Sequence, residues 1–391
     1  MKFEELGMIE PILKAIKEKN FEQPTEIQEK TIPLVIAGKD VIGGSATGSG
    51  KTLAFATGII QNSTQGEGIQ ALILDPTREL AMQSAEALKE FSKYKKLKIT
   101  TIYGGVSITP QMYNLETADV VIGTPGRILD HLSRGTMDLS NVKTLVLDEA
   151  DRMLDMGFVD DVEKIMQACP KEKQTLLFSA TISEELLRIQ NKYMNDPVKV
   201  SAISHVDPTK LTQVYYDVPE NMKFSLLAHL LKGESRGLVM VFCNTRSTTD
   251  FVEKNLKVNG IHATAIHGGL TQARRTKIME LFHSKTAQVL ICTDVAARGL
   301  DIPGVTHVYN YNIPNDTTQY IHRVGRTARA GEEGKAVSLI SERDYDNFSR
   351  LFRDFDVTIP KQERPQVERV KIVRTQERRE KSGFQRQRRR Y

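Results

Sequence analysis

The chain has 391 residues, of which 40% are hydrophobic and 26% charged, and it carries a net charge of +5. That length accommodates two or more domains with full cores. No apolar run approaches the roughly 18 residues of a membrane helix, and the charged start MKFEELGMIEPILKAIKEKN does not read as a secretory signal. A membrane span is therefore excluded and a cytoplasmic protein expected. Three scattered cysteines, Cys169, Cys243 and Cys292, share no metal or redox spacing and are expected as small buried thiols. The charge is uneven: Lys361 to Tyr391 holds 12 Lys+Arg and 4 Asp+Glu, which leaves 42 basic and 45 acidic residues in the body. A near-neutral body with a basic tail suggests a polyanion partner.

In chain order, short runs rich in Val, Ile and Leu recur, most of them followed by a turn signal and a helical pattern. The first half holds DVIGG (Asp40–Gly44), ALIL (Ala71–Leu74), ITTIY (Ile99–Tyr103), DVVIG (Asp119–Gly123), TLVL (Thr144–Leu147) and TLLF (Thr175–Phe178). The second half repeats the plan with GLVMVF, HATAIH, QVLIC, HVYNY and AVSLI. Runs with so little polar alternation suit strands buried on both faces, hence mostly parallel sheets covered by helices on both faces. The expected class is α/β with two such domains, over residues 1–203 and 213–360. The polar, proline-containing stretch between them is expected as a linker, 204–212, and 361–391 as a disordered basic tail. In open parallel sheets ligands gather at the carboxyl ends of strands, where the unusual residues of this chain fall.

The stretch GGSATGSGKT, Gly43 to Thr52, lies between a short apolar run and a helical pattern. It departs from the strict phosphate-loop pattern because Ser45 stands where the first glycine belongs. Its strand–loop–helix context still suits an anion, since backbone N–H groups and a helix N-terminus supply the site. Gly48 and Gly50 permit unusual backbone conformations, Lys51 can reach the outer phosphates, and the Thr52 hydroxyl can join a Mg²⁺ shell. Farther on, TLVLDEAD delivers Asp148 and Glu149 at the end of a buried strand. Asp148 suits the holding of Mg²⁺, and Glu149 the positioning and deprotonation of an attacking water. Together these point to ATP hydrolysis.

The motifs SATGSGKT, PTREL, TPGR, DEAD, SAT, ARGLD and HRVGRTAR stand in the order found in DEAD-box ATP-dependent RNA helicases, and the chain resembles that family from about Phe3 to the end of the second domain. The resemblance implies two RecA-like domains that close around ATP and single-stranded RNA. It implies that Ser45, Ala46, Thr47, Gly48, Ser49, Gly50, Lys51 and Thr52 cradle the nucleotide, with Ser45 a small replacement for the usual alanine. In FEQPTEIQ, similar to the family's Q motif, Gln28 would read the adenine edge and Phe21 would lie beside the base, with Phe3 the upstream aromatic that accompanies them. DPTREL, YGG and TPGR would line the RNA path through Pro76, Thr77, Arg78, Gly104, Gly105, Thr124, Pro125 and Arg127, contacting backbone and reading no bases. A structural ion pair is the alternative for Arg78 and for Arg127.

Ser179 and Thr181 of SAT would link the carboxylates to domain closure. In the second half, VFCNTR and HGGLTQARR resemble further RNA-facing motifs, with Arg246 and Gly268 as contacts and Gly269 where an aspartate often stands. Gln272 and Arg275 complete that stretch. In CTDVAARGLD, Thr293 would face RNA and Asp301 the ribose hydroxyls. His322 would couple the domains. Arg326 and Arg329, three residues apart, would share one face of a helical turn and act as arginine fingers. The implied activity is RNA-dependent ATP hydrolysis that separates or remodels short duplexes or RNA–protein complexes, with a monomer as the default. Two alternatives stay open: a DNA-directed relative of the same superfamily, and an ATP-dependent RNA clamp.

Overall fold

The computed structural model describes the chain except residues 45–48, 180, 182, 202–209, 234–236, 285, 298–301, 303, 316, 329–331, 355–358 and 374–391. The chain divides into two compact units, with the change after His205.

The first unit contains a seven-stranded sheet: β1 (Val41–Gly44), β2 (Ala71–Leu74), β3 (Ile99–Ile102), β4 (Val120–Gly123), β5 (Thr144–Leu147), β6 (Gln174–Ser179) and β7 (Val198–Ser201). Its spatial order is β3-β4-β2-β5-β6-β1-β7, and every pairing is parallel. Consecutive strand residues serve opposite cores. Ala71 and Ile73 pack into one cluster with the helices Glu26–Ile36, Lys51–Asn62 and Arg78–Phe91, while Leu72 and Leu74 pack into another with the helices Pro125–Ser133 and Val159–Ala168. That two-sided burial is what the unbroken apolar runs require.

The second unit has a six-stranded sheet: β8 (Leu211–Asp217), β9 (Leu238–Phe242), β10 (Ala263–Ile266), β11 (Val289–Cys292), β12 (Val305–Asn310) and β13 (Gly334–Ile340). The order is β10-β11-β9-β12-β13-β8, again with all pairings parallel. The expected α/β class with two sheets is therefore found. β8 begins at Leu211, inside the stretch expected as linker, because β13 pairs with it from Gly334↔Leu211 onward. All three cysteines are free and buried. Burial pushes the Cys169 thiol up to about 11 and that of Cys243 up to about 12, so neither is a thiolate at neutral pH.

The segment Lys361–Val373 also departs from expectation. It was expected to be disordered, yet it runs along the second unit. Gln362 N donates to Tyr215 O at 2.8 Å, extending the pairing at the β8 edge. Val367 and Val370 pack against the core, and Val370 N donates to Ser225 Oγ at 3.3 Å. At its end Val373 N donates to Asn255 Oδ1 at 2.6 Å, and Asn259 Nδ2 donates to Lys371 O at 2.8 Å. Two valines in six glutamate- and arginine-rich residues are too sparse a pattern to announce such a strap. The rest of the basic tail, 374–391, lies outside the described residues.

This strap sets where the tail can be cut. Truncation after Pro360 exposes the core beneath two valines and removes five backbone hydrogen-bonding groups; half-burial of each valine is worth about 1 kcal/mol. The melting temperature of the second unit should fall by several degrees, at about 2–4 °C per kcal/mol. Truncation after Val373 should leave it within about 1 °C, and calorimetry on both forms checks the difference.

Candidate ATP and RNA site

In the first unit the strand order sorts the sequence motifs into two groups along one edge of the sheet. β3, β4 and β2 lie side by side, and their carboxyl ends carry Tyr103–Gly105, Thr124–Arg127 and Asp75–Leu80. β5, β6 and β1 follow, carrying Asp148–Glu149, Ser179–Thr181 and the phosphate loop. Sequence separates these motifs by tens of residues; the sheet makes them neighbours.

The carboxylate end is nearly dry. Lys51, the first residue of helix Lys51–Asn62, places Nζ 3.1 Å from Asp148 Oδ1 and 3.6 Å from Glu149 Oε1, with all three side chains at most 6% exposed. Arg152 pairs with Glu149 from the far side, so that carboxylate is held between two cations. Glu149 has φ 51° and ψ 49°, the left-handed region that costs a non-glycine residue about 1–3 kcal/mol. The helix Ala150–Asp155 starts directly after it. The backbone thus turns sharply as the strand ends, which is how Asp148 and Glu149 reach the same lysine. Glu149 N also donates to Asp148 Oδ1 at 2.9 Å.

Two acidic residues quoted in the motifs but given no role in the sequence reading belong to this cluster. Asp151 Oδ2 accepts from Thr181 N at 3.0 Å and from Thr181 Oγ1 at 3.1 Å, and Asp151 N donates to Ser179 Oγ at 3.3 Å. Ser179 Oγ donates to Thr181 O at 2.5 Å, so the hydroxyls of SAT are engaged with the last aspartate of DEAD. Asp75 is fully buried at the end of β2, next to β5, whose Leu147 pairs in register with Leu74. Burial pushes its carboxyl well above the usual carboxylate range; Asp148 adds to that, while Ser84, Lys51 and Arg152 oppose it. The signal for Asp75 was a charged residue ending a wholly apolar strand.

Ser45, Ala46, Thr47 and Gly48 lie outside the described residues; Ser49 and Gly50 close the loop. Gly50 has φ 91°, and a Cβ there would stand 2.3 Å from Gln28 Nε2. That closeness reflects a tie between motifs. Gln28 Nε2 donates to Gly50 O at 2.9 Å, Thr25 Oγ1 donates to Ser49 O at 2.8 Å, and Gln28 Oε1 accepts from Thr25 N at 2.9 Å as half of a capping box. Gln28 was expected only as a reader of adenine, and here it also braces the phosphate loop. One amide hydrogen and one lone pair remain for a base edge. Phe21 is 45% exposed, as a ring beside a base must be, whereas Phe3 is buried in the core.

In the other group, Thr77 caps the helix Arg78–Phe91, and Thr124 precedes Pro125 at the start of Pro125–Ser133. Gly104 and Gly105 are exposed, and a Cβ at either would meet open space. The Arg78 guanidinium lies 4.4 Å from the centre of the Tyr103 ring. Arg127 Nη2 donates to Val106 O at 3.1 Å, with Asp130 3.7 Å from its Nε. The alternative of an ion pair therefore holds in part for Arg127, while Arg78 stacks instead.

The second unit repeats the sorting. β10, β11 and β9 are adjacent, and the segments after their carboxyl ends carry Gly268, Thr293 and Arg246 respectively. A Cβ on Gly268 would come within 3.1 Å of the Arg246 guanidinium, so these two expected contacts are neighbours. Thr293 is 7% exposed, and its carbonyl accepts from Ala296 N and Ala297 N. His267 Nδ1 accepts from Gly269 N at 3.2 Å. Gln272 and Arg275 start the helix Gln272–His283.

The helix Thr317–Val324 ends before Arg326, and it carries a buried hub. Arg323, 1% exposed, donates from Nε and Nη2 to the two oxygens of Asp294 at 2.6 Å each, from Nη2 to Asn244 Oδ1 at 2.8 Å, and from Nη1 to Asn312 O at 2.6 Å. Thr317–Val324 is helical, Arg326 sits in the turn beyond it, and Ala328 takes a left-handed φ of 54°. Arg326 thus lies beyond the helix rather than on it. Arg326 is buried and lines a small cavity with His322, Gln319 and Asp294; Arg329 and Asp301 lie outside the described residues. Arg323 stands in the same motif but was given no role, because the resemblance assigned only Arg326 and Arg329.

Two family models match the chain: DEAD/DEAH box helicase over residues 25–189, and helicase conserved C-terminal domain over 222–331. The DEAD-box ATP-dependent RNA helicase CshA of Geobacillus kaustophilus is 44% identical over 90% of this chain and 76% of its own length. A probable ATP-dependent RNA helicase of Methanocaldococcus jannaschii is 46% identical over 92% of this chain and 98% of its own length. Among solved structures, S. cerevisiae Dbp5 bound to RNA and ADP BeF3 is 32% identical with a TM-score of 0.84, over 92% of this chain and 95% of that one. With its phosphate loop braced by the Q motif and its carboxylates held on Lys51, the chain belongs to the DEAD-box family of ATP-dependent RNA helicases.

Proposed function

We propose that the protein is an RNA-dependent ATPase that binds single-stranded RNA through both units and uses ATP to separate or remodel short RNA duplexes or RNA–protein complexes. One observation carries the reading: along a single sheet edge, the phosphate loop and buried carboxylates adjoin the three loops that suit a nucleic-acid backbone. A cytoplasmic location fits the buried, protonated thiols.

The chain's own groups divide the work. Lys51 leaves its carboxylates for the outer phosphates, which frees Glu149, still held by Arg152, to orient and deprotonate water. Thr52 and Asp148 are the hard oxygen donors that suit Mg²⁺, with nucleotide phosphates completing the set; Lys51 already provides positive charge beside Asp148. The ion, when bound, neutralises charge on the phosphate oxygens. We assign Arg326 and Arg329 to the charge on the transferring phosphoryl, and Asp301 to the ribose. Asp151, Ser179 and Thr181 carry movement of the carboxylate turn to the end of β6.

The direct test is ATP turnover with and without single-stranded RNA, against DNA of the same sequence. RNA should stimulate turnover at least about tenfold and DNA should not, since 2′-hydroxyls distinguish them; equal stimulation points to the DNA-directed alternative. Glu149→Gln should keep ATP and RNA binding while losing roughly 10²–10⁴-fold in turnover, the usual span for a general base. Unimpaired hydrolysis in that variant removes Glu149 from the chemistry. Gln28→Glu keeps the acceptor for Thr25 N but cannot donate to Gly50 O. ATP affinity should fall about tenfold while the melting temperature changes by no more than about 3 °C. Titration with a fluorescent nucleotide reads the first effect, and parental affinity contradicts the brace.

A further inference from the structure

We propose that Gln111 and His131 are positioning residues for RNA, holding the Tyr103–Gly105 turn in the form that meets the RNA backbone. The inference rests on the reading of that turn as an RNA contact.

Gln111, in the helix Thr109–Leu115, is 6% exposed, and His131, in Pro125–Ser133, is fully buried. Gln111 Nε2 donates to Tyr103 O at 3.1 Å. Its Oε1 must then face His131 Nε2, 3.4 Å away, which makes Nε2 the ring nitrogen that carries hydrogen. With hydrogen on Nε2, His131 Nδ1 is an acceptor, so the Thr136 hydroxyl, 2.8 Å away, turns to it in preference to His131 O at 3.2 Å. Each bond fixes the direction of the next, from Thr136 through His131 and Gln111 to one backbone carbonyl. Burial, with Arg127 and Arg134, pushes the imidazole pKa down against the pull of Asp130, which keeps the ring neutral and this order intact.

A buried polar relay is costly unless every member is satisfied, and apolar side chains would fill the same space more cheaply. Its end point explains its presence. A turn with Gly105 at φ 80° and open space around both glycines is soft unless something restrains it. Three contacts do so: Arg78 on the Tyr103 ring, Arg127 on Val106 O, and Gln111 on Tyr103 O. The two arginines are drawn to phosphates and can leave when RNA arrives. Gln111 is buried and uncharged, so it keeps the turn in place when they do. Ordering the turn before binding lowers the cost of binding.

The test uses the full chain with Gln111→Leu and Gln111→Glu. Leucine removes both bonds; glutamate still accepts from His131 but cannot donate to Tyr103 O. Both variants should raise the RNA concentration for half-maximal ATPase stimulation about tenfold, a change of about 1.4 kcal/mol. The ATP KM and the rate at saturating RNA should stay within about twofold, and Gln111→Glu should melt within about 3 °C of the parent. A folded Gln111→Glu with parental half-saturation overturns the proposal, as does an equal loss in the ATP KM or the saturated rate. Arg78→Ala, run alongside, separates the two readings. If it weakens RNA stimulation while Gln111→Glu does not, the turn still meets RNA and only the positioning role falls. If neither variant changes, both readings fall together.

Discussion

Keeping charge out of water is the constraint around which the first unit is arranged. Lys51, Asp148, Glu149 and Arg152 are each at most 6% exposed, and ions so buried are tolerable only when paired. The pairing demands that a strand end, a left-handed turn and a helix start meet at one place. The in-register β2–β5 pairing brings Asp75 to the same place, and the Gln28 brace fixes the loop that carries Lys51. Without nucleotide, the lysine and the carboxylates neutralise each other. On the proposed function, nucleotide phosphates compete for the same lysine and release the carboxylates.

Much of this was legible in the sequence because buried parallel strands leave a strong mark. Eleven of the thirteen described strands were visible as apolar blocks, and the motifs follow them at their carboxyl ends. The two strands not foreseen, β7 and β8, are both at sheet edges. An edge strand is covered less completely, and β8 accordingly mixes Thr212, Gln213 and Asp217 with its apolar residues. The strap Lys361–Val373 escaped for the same reason, being held mainly through backbone groups. Side-chain identity says little about such bonds.

The candidate site was legible where its residues stand in local motifs and less so in its long-range polar scaffolding. Lys51, Asp148 and Glu149 stand in motifs whose local context defines them. Asp75, Gln111, His131 and Arg323 act through partners far away in sequence, and only the sheet order reveals which ones. Gln28 shows the mixed case, since the same amide serves a capping box three residues away and a loop 22 residues on.

The two units solve one problem twice. In each, three adjacent strand ends carry the motifs proposed to meet the RNA backbone, and a buried polar group lies behind them: the Gln111–His131 relay in the first, the Arg323 hub in the second. Backbone-directed recognition needs rigid N–H groups and hydroxyls rather than long side chains, because it reads a repeating geometry and not a base sequence. Rigid loops in turn need fixed anchors, and a buried hydrogen bond is directional in a way that apolar packing is not. Arg323 fixes Asp294 one residue after Thr293, and reaches Asn244 two residues before Arg246. The loops after β11 and β9 are therefore tied to a single buried guanidinium.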